Sequence, residues 1–309
     1  MHIPSQLVFV LLAAAHAMGY AQASLPAWDT HCHIFDPHNF PYSPNRSYTP
    51  RAATPAELLA ASPGSSFLLV QASVENGRDG LLAHMRDIGS RLTGDNVVRG
   101  EIIFDEDTSL SQDELLQLHI AGVRVLRAYA RTSNNSTATA EELRGLLRGP
   151  MGSIARKYGW IISFQMPPAV WTLLEDFPWH EELPGVPIIA EHLGSVNVPM
   201  DDESRRGLET LLKLMREGVL TVKINALHRR GLKGHETEMM TVISKLAKTA
   251  SDRLIWGSDW PHVNSSAPVT ETPEFLPVNA TAELSWLQSF LPNATYRDMV
   301  SRNPTRLLY

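Results

Sequence analysis

Two histidines and an aspartate far apart in the chain could form one reaction centre. His31 and His33 are separated by one residue in DTHCHIFD, and Asp259 follows an apolar segment in WGSDWPH. Residues two apart in a strand point to the same face, so the two imidazoles could bind one metal ion or one substrate oxygen. A carboxylate beside them could take a proton from water. His192 ends another apolar segment in AEHLG and completes the predicted catalytic group.

The elements that must position these residues are short apolar segments alternating with segments of helical period. Their continuous hydrophobicity indicates parallel strands that are covered on both faces. We predict strands at about residues 26–33, 66–72, 97–104, 121–127, 160–165, 186–192, 219–225 and 253–258. Helices are predicted between them at about residues 54–61, 77–91, 111–119, 139–158, 201–217 and 235–250.

Eight such strand–helix units favour a closed (β/α)8 TIM-like barrel, formed as a single domain over residues 24–309. A doubly wound nucleotide-binding sheet is less favoured because no GxGxxG or Walker loop is present. The active site of such a barrel lies at the carboxyl ends of its strands. The predicted catalytic residues follow strands 1, 6 and 8, so they should surround one pocket. Residues 261–283 are predicted to form a long loop after the last strand.

Four motifs in the chain carry a family resemblance. They are HCHIFDP, EHLG, WGSDWPH and the closing NPTRLLY. Together they resemble the amidohydrolase superfamily of the amidohydrolase-2 type, and within it the lactonase branch that contains 2-pyrone-4,6-dicarboxylate lactonase. The resemblance extends from Asp29 to Tyr309 and implies a distorted (β/α)8 barrel that hydrolyses carboxylic esters or lactones.

The resemblance also implies roles for individual residues. Asp259 matches the residue that activates water, and the three histidines match those that polarise the substrate carbonyl. Arg124 and Arg229 match arginines that face substrate carboxylates. Bidentate guanidinium–carboxylate contacts are the physical reason to expect a small carboxylated substrate. The further substrate-binding candidates are Arg127, Gln165, Tyr48 and His262. Three arginines near predicted strand ends could equally lie on the solvated surface: Arg127, Arg131 and Arg230.

The strand-5 and strand-4 residues bear on whether a metal is bound. Metal-dependent relatives place a histidine ligand at the end of strand 5, where this chain has Gln165. A neutral amide is a poor zinc ligand, and Arg124 or Arg127 on strand 4 would oppose a cation. We therefore expect no cofactor. The alternative is one zinc ion held by His31, His33 and Asp259.

Three functions remain open from the sequence. The leading prediction is a hydrolase of a lactone or carboxylic ester of an acidic small molecule. The first alternative is a zinc-dependent decarboxylase of an aromatic or unsaturated acid, as in the sister branch. The second is a barrel that binds small acids without turnover, although binding alone requires no general base such as Asp259.

The amino-terminal segment and the sequons predict export. An apolar run at residues 7–15 is followed by the tripeptide Ala21-Gln22-Ala23, which is typical of a cleaved signal peptide spanning residues 1–23. After cleavage, no apolar stretch of membrane-spanning length remains, so a secreted protein is expected. Asn-x-Ser/Thr acceptor sites for glycosylation support this prediction and occur at Asn45, Asn134, Asn135, Asn264, Asn279 and Asn293.

The net charge limits the classes of partner to expect, and the cysteine content indicates where stability comes from. A formal net charge of −6 gives no electrostatic reason to expect a nucleic acid or an anionic membrane as partner. The single cysteine, Cys32, excludes an intramolecular disulfide. Stability must therefore come from a large core, in which Cys32 is expected to pack as a small apolar side chain.

Overall fold

The computed structural model describes residues 27–129 and 135–309 and contains one eight-stranded parallel sheet. The strands lie in chain order, each hydrogen-bonded to the next, which confirms the predicted (β/α)8 architecture. Their bounds are β1 Ala27–Cys32, β2 Ser65–Val70, β3 Val98–Ile103, β4 Val123–Tyr129, β5 Ile161–Gln165, β6 Ile188–Ala190, β7 Leu220–Ile224 and β8 Leu254–Trp256.

Helices cover the outer face of the barrel and continue after the last strand. They are α1 Pro55–Ala61, α2 Asp79–Arg91, α3 Gln112–Ile120, α4 Ser136–Arg148, α5 Pro150–Tyr158, α6 Pro168–Leu173, α7 Trp179–Glu182, α8 Asp202–Arg216, α9 Glu236–Thr249, α10 Ala280–Phe290, α11 Asn293–Arg297 and α12 Asn303–Leu308. Thr54 and Ser111 begin α1 and α3 with capping boxes, in which side chain and backbone bond reciprocally. Among the described residues, no helix is long and apolar enough to cross a membrane.

The prediction of one continuous helix over 139–158 is wrong. The structure has two helices that meet at Gly149, whose backbone leaves the helical region at φ −99° and ψ −128°. Pro150 then occupies the first turn of α5, where its missing N–H removes no helical hydrogen bond. The Gly-Pro pair therefore ends one helix and begins the next, although the apolar periodicity runs through both.

The barrel interior is divided into an apolar lower half and a polar upper half. At the amino-terminal ends of the strands, one buried cluster comprises Trp28, Leu68, Val125, Ile161, Ile189, Ile255 and Leu308. A larger cluster lies between sheet and helices and includes Cys32, as predicted for an apolar role. The buried charged side chains of the interior lie above this apolar cluster, toward the carboxyl ends of the strands.

The barrel closes where β8 meets β1, beside the predicted catalytic residues. The Asp259 N–H donates to the carbonyl of His31, and the His33 N–H donates to the carbonyl of Trp260, both at 2.9 Å. A Cβ on Gly257 would lie only 2.7 Å from the backbone nitrogen of His31. Glycine is therefore needed in WGSDWPH so that the two strands can approach each other.

The predicted signal peptide, the sequons and the predicted long loop lie in segments of different visibility in the structure. The signal peptide at 1–23, Arg131 and the sequon residue Asn134 lie outside the described residues. Of the remaining sequon residues, Asn264 is half-buried, and four are exposed: Asn45, Asn135, Asn279 and Asn293. The long segment predicted after β8 contains no helix or strand until α10 begins at Ala280.

Candidate active site

Three histidines surround Asp259 at the carboxyl ends of the strands. The ring of His31 lies 5.0 Å from that of His33 and 4.8 Å from that of His192, measured between centroids. Nε2 of His31 is 3.6 Å from Oδ1 of Asp259. The structure therefore brings the four predicted catalytic residues into one cluster.

The backbone at this cluster is held in uncommon conformations. Asp259 has φ +62° and His192 has φ +49°, both in the left-handed region that non-glycine residues rarely adopt. Buried Asp29 supports the turn before Asp259, since its carboxylate accepts from the Ser258 N–H at 2.9 Å and the Ser258 hydroxyl at 2.6 Å. It also accepts from the His31 N–H at 3.2 Å. Asp29 thus ties the two strand ends that carry the site.

The ring of His33 uses Nδ1 for a hydrogen bond with the protein, which leaves Nε2 as an acceptor. Its Nδ1 lies 2.8 Å from the carbonyl oxygen of Val70, so Nδ1 carries the proton and donates. Burial lowers the pKa of His33 to about 3, and the neighbouring His31 adds to the shift. The neutral ring then has a lone pair at Nε2. In this arrangement Nε2 of His33 accepts a hydrogen bond, and the role of His33 toward a substrate carbonyl stays a prediction.

His192 has the opposite arrangement. Asn225 accepts from the His192 backbone N–H through Oδ1 and donates from Nδ2 to His192 Nδ1, both at 2.8 Å. The backbone N–H of His192 can only donate, so the oxygen of the Asn225 amide must face it. The NH2 group of that amide then faces Nδ1 of His192, which makes Nδ1 an acceptor. Burial holds the pKa of His192 well below its usual range, with His31 as the next cause. Neutral His192 therefore presents an Nε2–H, which suits a carbonyl oxygen that gains negative charge.

Asp259 is ionised and paired with an arginine. Its Oδ2 accepts from Nε of Arg229 at 3.0 Å. Burial alone would raise the pKa of Asp259, but its polar and charged neighbours, Arg229 among them, outweigh burial and hold the pKa below its usual range. The pairing uses Oδ2, while Oδ1 faces His31. Asp259 is thus a carboxylate with one oxygen directed toward the histidine cluster.

A cavity of about 180 Å³ opens above the cluster and is lined by further cations. Arg127, Arg229 and Arg230 contribute to its wall, together with the predicted residues Tyr48 and Gln165. Arg127 donates to the side-chain oxygen of Gln165. Three guanidinium groups around a cavity of this size suit a small substrate that bears carboxylates.

Two predicted substrate-binding residues lie elsewhere. Arg124 is at the start of β4 and donates to the carbonyls of His119 and Val123, both at 2.8 Å, at the other end of the barrel from the site. Its assignment to the substrate is therefore corrected, because three residues along β4 Arg127 reaches the cavity instead. His262 is buried behind Asp259 against His228, at 5.7 Å between ring centroids, and does not line the cavity.

Sequence reasoning missed a set of buried polar residues beneath the histidines. They are Asp29, Glu101, Glu191, Lys223 and Asn225, each at most 1% exposed. A signal was available, because each interrupts or ends an otherwise apolar strand, as in RGEIIF, IIAEH and LTVKIN. A charged residue in such a strand must be paired when buried, so it indicates a polar barrel interior.

The geometry of His31, His33 and Asp259 shows whether these three residues could bind a metal ion. One ligand atom each from His31, His33 and Asp259 lies within 4.8 Å of the others. Nε2 of His31 is buried and has no hydrogen-bond partner among the described residues. Two imidazoles and a carboxylate are ligands that zinc takes in catalytic sites. These residues therefore fit one divalent ion, and the expectation of a metal-free site stays a prediction.

Comparison with known proteins identifies the family of this chain and relatives with named activities. A family model described as Amidohydrolase matches residues 28–309. A 2-pyrone-4,6-dicarbaxylate hydrolase of Comamonas testosteroni is 30% identical over 265 residues, covering 79% of this chain and 80% of that protein. A 4-sulfomuconolactone hydrolase of Rhizobium radiobacter is 29% identical over 249 residues and covers 76% of each protein.

Solved structures show the same fold. A chain from Pseudomonas putida, described as a candidate 2-pyrone-4,6-dicarboxylic acid hydrolase, has a TM-score of 0.68 at 20% identity. It covers 92% of this chain and 97% of its own length. An amidohydrolase from Burkholderia multivorans with bound HEPES has a TM-score of 0.66 at 16% identity, with 92% and 99% covered.

Proposed function

The chain belongs to the amidohydrolase family, and on that premise we propose that it hydrolyses a lactone or carboxylic ester of a small acidic molecule. Support comes from two curated relatives that are named as hydrolases of a pyrone dicarboxylate and of a sulfomuconolactone. The observation that carries the proposal is the geometry around Asp259, an ionised carboxylate among three neutral histidines below an arginine-lined cavity.

The reaction begins with proton transfer from water. Asp259 takes one proton through Oδ1 while the water oxygen attacks the carbonyl carbon, and the Nε2 lone pair of His33 accepts a hydrogen bond from the same water. Nε2–H of His192 stabilises the negative charge that develops on the carbonyl oxygen. When the ring or ester C–O bond breaks, the proton held by Asp259 passes to the departing oxygen. The products are a carboxylic acid and an alcohol or enol.

The arginines determine which substrates are held in place. Arg230 and Arg127 line the cavity and present guanidinium groups to substrate carboxylates. Arg229 holds Asp259, and its Nη2 donates to the carbonyl of Val263 at 2.6 Å. If a divalent ion is bound, His31, His33 and Asp259 would hold it, and it would lower the pKa of water and polarise the carbonyl.

The test is acid release from carboxylated pyrones, sugar lactones and aromatic esters by wild type and by Asp259→Asn. We expect turnover by wild type and at least a thousandfold loss in the variant, since the amide cannot take the proton. Parallel assays with a chelator, and with zinc added back, measure dependence on a metal. The proposal fails if wild type releases no acid from any ester or lactone, and CO₂ release from an unsaturated acid would replace it with a decarboxylase.

A further inference from the structure

Four charged side chains are buried directly beneath the histidines. Glu101, Arg127, Glu191 and Lys223 are each at most 3% exposed, and their formal charges sum to zero. Buried ion pairs generally contribute less stability than apolar side chains of the same size. This position in the barrel could be filled by apolar residues, as the lower half is. The burial of these four charges therefore indicates that the cluster has a role other than stability.

Glu191 occupies the centre of this cluster and joins two parts of the active site. Its Oε1 lies 3.1 Å from Nδ1 of His31 and 2.9 Å from Nζ of Lys223. Its Oε2 accepts from Nε of Arg127 at 2.7 Å. A single carboxylate thus contacts a histidine that faces Asp259 and an arginine that lines the cavity.

The contacts of His31 Nδ1 indicate where its proton lies. Lys223 Nζ is 3.3 Å from Nδ1, but the same ammonium is closer to Glu191, at 2.9 Å, and also faces Glu101, at 3.5 Å. Lys223 is therefore directed mainly at carboxylates, and Glu191 can only accept while it is ionised. Nδ1 of His31 must then carry the proton, and the buried Nε2, for which the described part of the chain offers no hydrogen-bond partner, is a lone pair.

We propose that Glu191 is a positioning residue that fixes the His31 proton on Nδ1 and holds Arg127 at the cavity. Nε2 of His31 is then an acceptor directed toward Asp259, where it receives a hydrogen bond from the reacting water or binds a divalent ion. Glu191 itself lies below the cavity and does not touch the substrate. The effect on catalysis rests on the proposed function, whereas the position of the His31 proton does not.

Two charge-balanced double variants separate positioning from charge balance. Glu191→Gln/Lys223→Met removes the central carboxylate together with one cation. Glu101→Gln/Lys223→Met removes the neighbouring carboxylate together with the same cation. Each variant leaves one buried carboxylate and Arg127, so the formal charge of the cluster stays at zero in both. The variants differ in whether His31 and Arg127 keep their shared partner.

The expected kinetic result is a large difference between the two variants. Glu101→Gln/Lys223→Met should keep kcat within about threefold of wild type. Glu191→Gln/Lys223→Met should lose about 10- to 100-fold in kcat, as is typical when the partner of an active-site histidine is removed. KM should also rise in that variant, because Arg127 loses its shortest contact with a carboxylate and keeps only Gln165 and the more distant Glu101 as named partners. Equal losses in both variants would overturn the positioning role.

Nitrogen-15 NMR of histidine-labelled protein measures the tautomer without any substrate. His31 signals are assigned by their absence in His31→Gln, and wild type should show Nδ1 protonated and Nε2 unprotonated. The Glu191 double variant should shift the proton to Nε2 or populate both forms, while the Glu101 double variant should match wild type. An Nε2-protonated His31 in wild type overturns the proposal, even if a variant does not fold. If wild type shows Nδ1–H but hydrolyses nothing, the proposed function fails and the positioning of the proton stands.

Discussion

At the scale of single residues, different hydrogen-bond partners give the chemically identical side chains of His33 and His192 different roles. Val70 makes His33 an acceptor at Nε2, and Asn225 makes His192 a donor at Nε2. Burial keeps both rings neutral at ordinary pH, so neither can change role by taking up a proton. The site therefore holds one acceptor and one donor in fixed positions, as the proposed mechanism requires for water and for the carbonyl oxygen.

The role of Asn225 gives a prediction about catalysis. Asn225→Asp replaces the Nδ2 donor by an oxygen, which can only accept from His192 Nδ1. The proton of His192 should then move to Nδ1, and Nε2 would lose its hydrogen. We expect kcat to fall about 10- to 100-fold with little change in KM, measured by steady-state kinetics. Asn39→Asp, at an exposed amide that bonds Asp36, is the control and should behave as wild type.

Arg230 is expected to act mainly in substrate binding. It lines the cavity, donates to the carbonyl of Ser195 at 3.3 Å, and its Nε has no partner among the residues described. Arg230→Gln should raise KM for a carboxylated substrate about tenfold or more, with kcat changed less, because one charge-assisted hydrogen bond is lost. Substrates without a carboxylate should show no such difference. An equal effect on both substrate types would contradict the role.

At the scale of elements, short turns after the strands set the positions of the reactive groups. The segment Leu227–Arg230 follows β7 as a single 3₁₀ turn and carries both Arg229 and Arg230 into the site. It ends at Gly231, which has φ +85° and packs against the loop that follows His192. The geometry of this turn therefore determines whether the arginines reach Asp259 and the cavity.

Gly231→Ala tests this turn and has a closely matched control. A Cβ at Gly231 would lie 1.9 Å from the carbonyl oxygen of Val198, a backbone atom that cannot rotate away. Gly234 has a similar φ of +82° but open space around its Cβ position. Gly231→Ala should lower the melting temperature by several degrees and raise KM, whereas Gly234→Ala shows only the cost of positive φ, about 1 kcal/mol. Thermal unfolding and kinetics on both variants check this, and equal effects would contradict it.

At the scale of the whole molecule, burial of ionisable groups links folding to pH. Burial raises the pKa of Glu75 to about 8, and the hydrogen bond from the Ala72 N–H only partly opposes the shift. The folded protein therefore favours protonated Glu75, while the unfolded chain ionises near its ordinary pKa of 4.5. The stability that this group provides is complete below pH 4.5 and is lost as pH rises through 8.

Glu75→Gln should remove this part of the pH dependence. The amide keeps an acceptor for the Ala72 N–H but cannot ionise. We expect equal free energies of unfolding for wild type and variant at pH 4, and a variant more stable by a few kcal/mol at pH 8.5. Urea unfolding at the two values measures the difference, and other buried acids cancel because both proteins contain them. A variant that is no more stable at pH 8.5 would refute the prediction.

Export is a second prediction about the whole molecule. Expression of the full chain in a glycosylating secretory host should deliver protein to the medium with Ser24 as its first residue. Removal of N-linked glycans should lower its mass, and the four exposed sequon residues should be the main acceptors. Amino-terminal sequencing and mass spectrometry check both. Retention in cells with Met1 intact would contradict the prediction.

Much of the fold and the clustering of the four predicted catalytic residues could be predicted from the sequence because both depend on local patterns. Apolar runs and helical periods locate eight strands and most helices, and a parallel barrel brings its carboxyl strand ends together. His31, His33, His192 and Asp259 end or follow such strands, so their convergence follows from topology. The single helix predicted over 139–158 failed because a Gly-Pro break outweighs the apolar period.

The tertiary structure decided what these residues can do. Arg124 and Arg127 lie on one strand three residues apart, and only the folded barrel shows that Arg127 reaches the cavity. The proton positions of the histidines depend on Val70, Asn225 and Glu191, which come from three other strand ends. Local sequence specifies which side chains stand at a strand end. Long-range packing specifies which atoms face each other, and the chemistry depends on those pairs.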